Sequence, residues 1–346
     1  MKILLVISKF LPEYSGPGFR IFNSYKRLSK TTNINLEVFC QSEEENSYKN
    51  YNLRDIHIKR LKKISIKNKS FLKKILNNIE FFILLLFLCL KLNKKKYDII
   101  HVAGSSTLTT AGLYASRIKK IPLFFELVNA SSSPIQINKI LNFFYKINLH
   151  DNTIISCLSE KLKKECEKHN LVNNIWLRPN PIDEKKFFYK KNNNFEKIIL
   201  LNINQFIPRK NQIFLIEVMK LLPEKYKLVL AGPTTKIGKN KKRDKNYLSE
   251  IKKLILQYNL SDRINLIEKF INPEDYYYKS HFYLMPSHNE GLGTTFLESL
   301  ACGIPVIANK SEDVFHEWID DGINGKLLTL QASKWANEIM KFPYKN

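Results

Sequence analysis

The segment from His281 to Asn309, HFYLMPSHNEGLGTTFLESLACGIPVIAN, combines two glutamates with a glycine-rich turn. A buried strand is predicted to run into Pro286, and a helix is predicted to begin near Thr294. The glycines between them let the backbone approach a ligand closely, and the amides that open a helix can bind a phosphate. The segment therefore indicates a site for a phosphate-bearing ligand, formed by Glu290, Gly291, Leu292, Gly293 and Thr294.

Glu298 lies one turn into that predicted helix, eight positions after Glu290. A carboxylate placed there can accept hydrogen bonds from both hydroxyls of a ribose, while Glu290 would face the sugar side of the pocket. Thr295 and Glu298 also have the spacing of a helix capping box, which requires no ligand. The spacing alone leaves both interpretations open.

Arg209 and Lys210 form a basic pair that follows a predicted strand, Lys197 to Asn202, and the loop after it. Fixed positive charge beside a diphosphate stabilises a leaving group on which negative charge accumulates. A pair of cations is common in a chain with 56 Lys and Arg. Its position after the first strand of the C-terminal half is therefore what favours a role at the site.

The N-terminal half offers candidates that are less specific. Pro12 to Gly18 follows the first predicted strand and contains Gly16 and Gly18. Such a stretch suits either a loop that closes on a ligand or a plain connection from strand to helix. His101, at the end of a later strand, is expected to be structural rather than catalytic.

Apolar runs of strand length alternate with longer segments of helical period, which is typical of a parallel sheet covered by helices. The fold class is therefore α/β in both halves. The strands predicted in the first half are Lys2 to Ser8, Asn35 to Cys40, Ile56 to Arg60, Tyr97 to Val102, Pro122 to Val128, Thr153 to Cys157 and Ile175 to Arg178. Those in the second half are Lys197 to Asn202, Tyr226 to Ala231, Ile264 to Ile267, Phe282 to Met285 and Pro305 to Ala308.

A stretch rich in lysine and asparagine, Lys185 to Glu196, separates the two series of strands and suits an exposed linker. The length of 346 residues also exceeds the usual size of a single core. We therefore expect two Rossmann-like domains, residues 1–185 and 186–346. Ligands of open α/β sheets bind at the carboxyl ends of the strands, so a cleft between the domains is the expected site.

The charge of the chain is strongly positive, with 56 Lys and Arg against 32 Asp and Glu and a net charge of +24. Such a field attracts partners that carry phosphate, although the general abundance of lysine and asparagine also accounts for part of it. The positive residues are scattered and no nucleic-acid motif is present, so nucleic acid is not an expected partner. Five dispersed cysteines without Cys-X-X-Cys spacing indicate reduced thiols in a cytoplasmic protein and no zinc framework.

Lysines with interleaved isoleucine and leucine run from Lys59 to Lys74 and lead into an apolar helix predicted over Phe71 to Leu92. The most apolar run, Phe81 to Leu90, is too short to span a bilayer, which needs roughly 20 residues. The combination can lie on an anionic membrane surface, or it can be a solvated face followed by a core helix. We favour peripheral membrane contact because the basic and the apolar features coincide.

The segment from His281 to Asn309 resembles the signature of the retaining GT-B glycosyltransferases of family 4, the glycosyl transferases group 1. The shared features are two glutamates with seven residues between them, a Gly-X-Gly and the run Ala-Cys-Gly-Ile-Pro-Val-Ile-Ala. The resemblance implies that Glu290 and the turn after it contact the donor sugar and that Glu298 binds the ribose. Arg209 and Lys210 match the basic pair with which the family neutralises the donor diphosphate.

Further matches to the family lie in both halves of the chain. Leu228 to Pro233, LVLAGP, looks like the family's next strand and its glycine turn, which places Gly232 at the donor. Gly16 and Gly18 match the loop with which the family closes over donor and acceptor. The resemblance therefore covers most of the chain.

The sequence departs from the family in two places. Ile121 to Asn129 resembles a strand that in one branch reads Phe-Glu-Val-Arg-Asp, and it retains Glu126, for which the resemblance implies an acceptor-side or catalytic role. Val128 and Asn129 stand where that branch has Arg and Asp. After the last predicted turn only one short helix remains, so the C-terminal domain looks shortened at its end compared with the family.

The resemblance implies a retaining glycosyltransferase of the hexosyl type, acting from a UDP- or GDP-linked sugar on a glycan or on a polyprenyl- or lipid-linked acceptor. It implies a role in surface polysaccharide or lipopolysaccharide synthesis, with no metal and no cofactor besides the nucleotide-sugar substrate. We expect the protein in the cytoplasm, peripheral on the inner face of the cytoplasmic membrane. Two alternatives stay open, namely a GT-B epimerase or phosphorylase, and a non-catalytic basic protein that binds lipid or nucleic acid.

Overall fold

The chain forms two compact units, Met1–Pro179 and Asn180–Asn346. The computed structural model describes residues 1–13, 15–42, 51–53, 56–62, 71–93, 95–128, 152–168, 174–190, 196–236 and 240–341. The boundary expected from the sequence, between residues 185 and 186, lies a few residues after the observed division. The resemblance to the glycosyltransferase family implies that the first domain binds the acceptor and the second the nucleotide sugar, and both roles stay predictions.

The described part of the N-terminal unit contains one sheet of eight strands in the order β3-β4-β2-β1-β5-β6-β7-β8. The strands are β1 (Lys2–Ile7), β2 (Asn35–Ser42), β3 (Tyr51–Leu53), β4 (Ile56–Lys62), β5 (Ile99–Ala103), β6 (Leu123–Leu127), β7 (Thr153–Cys157) and β8 (Ile175–Leu177). All neighbours are parallel except β3 and β4. The helices are α1 (Gly16–Leu28), α2 (Phe71–Lys91), α3 (Thr107–Lys119) and α4 (Glu160–Lys168).

Local sequence signals start two of these helices. Ser15 caps α1, because its side chain accepts the Gly18 N–H at 3.1 Å, and Pro17 occupies the first turn. Ser106 and Thr109 form a reciprocal capping box at the start of α3. Both helices therefore begin directly after a loop that follows the carboxyl end of a parallel strand.

Helix α2 has two apolar faces. Phe81, Leu84 and Leu88 are buried against the unit, whereas Leu86 and Leu90 are 63% and 77% exposed. The exposed face also carries Ile79, Phe82 and Ile83. Among the described residues no helix has the length and apolar character needed to cross a bilayer.

The described part of the C-terminal unit contains one parallel sheet in the order β11-β10-β9-β12-β13-β14. Its strands are β9 (Ile198–Ile203), β10 (Tyr226–Ala231), β11 (Ile264–Ile267), β12 (Phe282–Met285), β13 (Val306–Asn309) and β14 (Gly325–Leu328). Its helices are α5 (Gln212–Leu221), α6 (Lys241–Gln257), α7 (Glu274–Tyr277), α8 (Thr294–Ala301), α9 (Asp313–His316) and α10 (Ala332–Lys341).

The core of this unit is continuous across the sheet and its helices. Trp335 of α10 is fully buried and packs edge-on against Phe214 of α5, with ring centroids 5.1 Å apart. Its indole N–H donates to the Thr329 carbonyl oxygen at 3.0 Å, so the polar edge of the ring is satisfied. The last described helix is thereby fixed to the first helix of the unit.

The strands predicted from the sequence are confirmed, and each observed end lies within two residues of its predicted position. Within the described ranges, two strands were missed. β3 has only three residues, and β14 begins with Gly325 and Lys326, so neither presents an apolar run of strand length. Helix α2 is confirmed over nearly its whole predicted range.

Candidate active site

A tight turn connects β12 to α8 in the C-terminal unit. Asn289 and Gly293 have positive φ angles of 55° and 85°. A Cβ at Gly293 would lie 3.0 Å from Phe296 and 3.2 Å from Met285. The positive φ angle therefore favours glycine at this position, and the two side chains leave little room for a Cβ. The turn brings residues 290–293 directly to the amino end of α8.

Arg209 and Lys210 lie in a short 3₁₀ turn, Pro208–Lys210, which follows β9. Their side chains converge on one oxygen of Glu290, with Lys210 Nζ 2.7 Å and Arg209 Nη1 3.0 Å from Oε1. The main chain joins the same two segments, because the His288 N–H donates to the Arg209 carbonyl oxygen at 2.8 Å. The structure thus brings the predicted basic pair and the first predicted glutamate together in what we call the Glu290 cluster.

Burial sets the electrostatics of the Glu290 cluster. The side chains of Lys210 and Glu290 are 9% and 5% exposed, whereas that of Arg209 is 40% exposed. Burial alone would raise the pKa of the Glu290 carboxyl, but Lys210 and Arg209 outweigh it and hold that pKa below its usual value. Glu290 is therefore ionised, with two cations in contact with its carboxylate.

Glu312, the residue before α9, holds the turn from its other side. Its two carboxylate oxygens accept the backbone N–H groups of Asn289 at 2.7 Å and Glu290 at 3.1 Å. The Glu312 side chain is itself buried. Glu312 therefore fixes the backbone on which the Glu290 side chain stands.

Glu298 lies one turn into α8, partly buried, and its Oε2 accepts a hydrogen bond from the Tyr277 hydroxyl at 3.0 Å. The capping-box interpretation of Thr295 and Glu298 is wrong. Thr295 lies inside the helix and its Oγ1 accepts from the Tyr283 hydroxyl at 2.8 Å, while the cap position is Gly293. Burial raises the pKa of Glu298 to about 7, against the opposing effect of the Tyr277 hydrogen bond.

Gly232 follows β10 at the carboxyl edge of the sheet. A Cβ on this residue would lie only 2.0 Å from the Asn204 carbonyl oxygen, on the segment that follows β9. The Asn204 N–H donates to the Ala231 carbonyl oxygen at 2.9 Å, and the Gly232 N–H donates to that of Ile267 at 3.0 Å. Gly232 thus lets the ends of β9, β10 and β11 lie close together.

The two glycines predicted in the N-terminal loop differ in what surrounds them. A Cβ at Gly18 would lie 3.0 Å from the Lys9 carbonyl oxygen and 3.1 Å from Cβ of Ser15. A Cβ at Gly16 would meet nothing within 4 Å. Packing therefore accounts for Gly18 and gives no reason for glycine at residue 16. Donor or acceptor contacts of either residue stay predictions.

Glu126 is fully buried near the end of β6 in the N-terminal unit. Arg20 donates to both of its oxygens, and Arg178 Nη2 lies 2.9 Å from Oε2. His101 Nε2 lies 3.9 Å from the same oxygen, and His101 Nδ1 lies 2.9 Å from the Tyr25 hydroxyl. We call these five residues the Glu126 cluster. The geometry places Glu126 to hold two guanidinium groups, and its catalytic role stays a prediction.

His101 is buried, and the structural role expected of it stays a prediction. Burial, assisted by Arg20 and Arg178, lowers the pKa of His101 to about 3, so its imidazole is neutral at ordinary pH. Asn129, which the sequence placed beside Glu126, lies outside the described residues.

The residues that the sequence did not indicate are Glu312, Arg20, Tyr25 and Arg178. Glu312 contacts a residue 22 positions away, and Arg20 contacts Glu126 across 106 positions. No periodicity or local spacing connects such pairs. Arg20 and Arg178 are also two among many cations of the chain, so their type carries little signal.

The architecture places the chain in the GT-B class of α/β proteins, with a largely or wholly parallel sheet and helices in each unit. HepE of Anabaena, solved in complex with UDP, matches with a TM-score of 0.70 at 17% identity, over 98% of this chain and 89% of that one. At this identity the likeness shows the fold alone. It confirms the fold class expected from the sequence.

The family follows from the sequence comparisons. Residues 183–342 match the family Glycosyl transferases group 1. An uncharacterized glycosyltransferase of Methanocaldococcus jannaschii is 26% identical over 331 residues, 94% of this chain and 84% of that protein. The Escherichia coli UDP-Gal:alpha-D-GlcNAc-diphosphoundecaprenol alpha-1,3-galactosyltransferase is 26% identical over 240 residues, 63% of this chain and 59% of that enzyme. The chain is a glycosyltransferase that carries a group 1 domain, as the sequence motifs implied.

Proposed function

We propose that this enzyme moves a sugar, with retention of configuration, from a UDP- or GDP-linked donor to a glycan or lipid-linked acceptor of surface polysaccharide or lipopolysaccharide. The observation that carries the proposal is the Glu290 cluster, which sets two cations beside the amino end of α8. The names of similar proteins support it. One includes a UDP-linked galactose and a diphosphoundecaprenol acceptor, and the HepE structure contains UDP.

The donor diphosphate would bind where Arg209 and the amino end of α8 both supply positive charge. Arg209 is exposed enough to turn toward a phosphate, while Lys210 stays buried with Glu290. This arrangement keeps Glu290 neutralised after the donor has entered. Fixed cations next to the diphosphate lower the free energy of the transition state as the bond from phosphate to sugar breaks.

The two glutamates would divide the rest of the donor between them. Glu298, one turn along α8, would accept hydrogen bonds from the ribose hydroxyls in its ionised form. Glu290 would lie at the sugar, with its orientation fixed by Lys210 and by the turn that Glu312 holds. Retention would arise from attack of the acceptor hydroxyl on the face of the sugar from which the diphosphate leaves.

A transfer assay tests this proposal. The purified protein is incubated with a panel of UDP- and GDP-linked sugars and with a bacterial membrane extract, and release of the nucleoside diphosphate is followed. We expect release from one donor, stimulated by the extract, and a glycoside with the anomeric configuration of that donor. No release from any donor would contradict the transferase assignment, and an inverted product would contradict retention.

We further propose that the protein lies on the anionic inner face of the cytoplasmic membrane through α2. Leu86 and Leu90 project from its exposed apolar face. Lys91, Lys95 and Lys96 are exposed at the carboxyl end of the same helix. An amphipathic surface bordered by lysines binds a bilayer through apolar burial and attraction to anionic headgroups. Such contact would bring the enzyme to a lipid-linked acceptor.

A further inference from the structure

Neighbouring strands of the N-terminal sheet carry polar side chains on one face near their carboxyl ends. Glu126 of β6 is in register with Ser156 of β7, and His101 of β5 is in register with Phe124, two residues before Glu126. Since side chains alternate along a strand, His101, Glu126 and Ser156 point to the same face. Arg178 follows β8 directly and reaches the Glu126 carboxylate.

Among the described residues, the charges in this buried region do not balance. Arg20 and Arg178 face the single carboxylate of Glu126, and their side chains are only 12% and 23% exposed. Burial, together with the charge of Arg178, lowers the pKa of Arg20 to about 9.

Polar atoms are also left without partners there. Among the described residues, His101 Nε2, Ser156 Oγ and Arg178 Nε are buried and make no hydrogen bond. Buried polar groups are nearly always hydrogen-bonded in folded proteins, because an unmade bond carries a desolvation penalty. His101 Nε2 and Arg178 Nε belong to residues that lie next to the Glu126 carboxylate, and Ser156 lies on the neighbouring strand in register with Glu126. A polar ligand at this place would supply the missing hydrogen bonds.

We propose that the Glu126 cluster binds a phosphate group of the acceptor, so that the enzyme selects acceptors that carry phosphate. A phosphate provides the negative charge that Arg20 and Arg178 lack, and its oxygens can accept from the Arg178 guanidinium and from Ser156. The inference rests on the proposed function. The donor diphosphate has the same chemistry, but the Glu290 cluster of the other unit already offers it a site.

Calorimetric titration of the full chain with inorganic pyrophosphate and with geranyl diphosphate, at constant ionic strength, tests the proposal. UDP or GDP is present at saturation, so that the donor site is occupied. We expect both probes to bind under these conditions. Arg178→Gln, which leaves Glu126 paired with Arg20, is expected to weaken binding about tenfold or more. The matched Arg117→Gln, on the exposed end of α3, is expected to leave binding unchanged.

Glu126→Gln distinguishes ligand binding from a purely structural role. Glu126 competes with the ligand for both guanidinium groups, and the Gln side chain can still accept a hydrogen bond from one of them. The variant is therefore expected to bind pyrophosphate several-fold more tightly, and weaker binding would show that Glu126 has only a structural role. If this variant does not fold, Arg20→Gln replaces it and is expected to weaken binding as Arg178→Gln does.

Loss of pyrophosphate binding on addition of UDP or GDP would assign the phosphate to the donor and overturn the proposal. Unchanged binding in Arg178→Gln would overturn it as well. Failure of the proposed function has a different signature. A chain that binds neither UDP nor GDP contradicts the donor site already in the titration with the nucleotide, which precedes the titration with pyrophosphate.

Discussion

At the scale of single residues, two glutamates on one turn and helix differ in protonation because their neighbours differ. Lys210 and Arg209 both contact Glu290 and hold its pKa low despite burial. Glu298 is partly buried with a tyrosine hydroxyl as its partner, and its pKa rises to about 7. A buried carboxylate loses its hydration, which raises its pKa. A positively charged ammonium group can reverse this shift, whereas a neutral hydroxyl cannot. Glu290 is thus charged throughout the physiological range, whereas Glu298 titrates within it.

Donor affinity is therefore expected to depend on pH through Glu298. The carboxyl is mostly protonated at pH 6 and mostly ionised at pH 8, and the ionised form is the better acceptor for ribose hydroxyls. If only the ionised form binds, the affinity for the nucleoside diphosphate rises by about tenfold over this interval. Fluorescence titration with UDP and GDP at several pH values measures it.

The control for that prediction is Glu298→Gln, which keeps the shape of the side chain and removes its titration. We expect the variant to bind more weakly than the native chain at pH 8 and to lose the pH dependence. A native profile that is flat between pH 6 and pH 8 would contradict the ribose-binding role of Glu298.

Site residues that lie in one short segment were predictable from the sequence. Site residues whose contact partners are distant in the sequence were not. Glu290, Gly293 and Glu298 share a motif, so the sequence indicates them together. Glu312 and Arg20 act through side chains whose partners are distant in the sequence and adjacent only after folding. Local spacing has no information about such contacts.

At the scale of elements, buried parallel strands were predictable because they are continuous apolar runs. The close packing at Gly232 was not predictable, because the residue that excludes a Cβ there is Asn204, which lies in the loop after a different strand. The loops after β9 and β10 are held close by this contact. The basic pair follows in the first of these loops, so the position of Arg209 and Lys210 depends on it.

Gly232→Ala is expected to destabilise the protein by about 2 kcal/mol or more, because the new Cβ collides with backbone that cannot rotate away. Urea denaturation followed by circular dichroism measures the change. Gly16→Ala is the matched control, since a Cβ there meets nothing within 4 Å, and we expect a shift within about 0.5 kcal/mol. Equal midpoints for both variants would show that the contact at Asn204 does not constrain the loop.

Helix α2 is expected to mediate binding to anionic vesicles. Replacement of both Leu86 and Leu90 by Gln removes apolar area from the exposed face and is expected to weaken association by about tenfold or more. Co-sedimentation with phosphatidylglycerol vesicles measures this. Leu256→Gln, which changes a leucine that is 68% exposed on α6, is the control. Equal sedimentation of the double variant and the control would contradict the proposed contact. The contact would also be contradicted if the native chain bound phosphatidylcholine vesicles as well as it binds phosphatidylglycerol vesicles.

At the scale of the whole molecule, the net charge of +24 has a local counterpart in each unit. The Glu290 cluster and the Glu126 cluster both set two cations against one buried carboxylate. The carboxylate holds the cations in place, and the remaining positive charge attracts an anion. Part of the positive charge of the chain is therefore held at two buried carboxylates, while the rest is spread over the surface.

The central claim is that the Glu290 cluster binds the donor diphosphate, and calorimetry of UDP and GDP binding to Arg209→Gln tests it most directly. Lys210 still neutralises Glu290 in this variant, so the fold is expected to persist. Lys220→Gln is the control, because Lys220 is an exposed cation paired with a single glutamate on α5. We predict that Arg209→Gln weakens nucleotide binding by about tenfold and that Lys220→Gln has no effect. Equal affinities in the native chain and in Arg209→Gln would contradict the account.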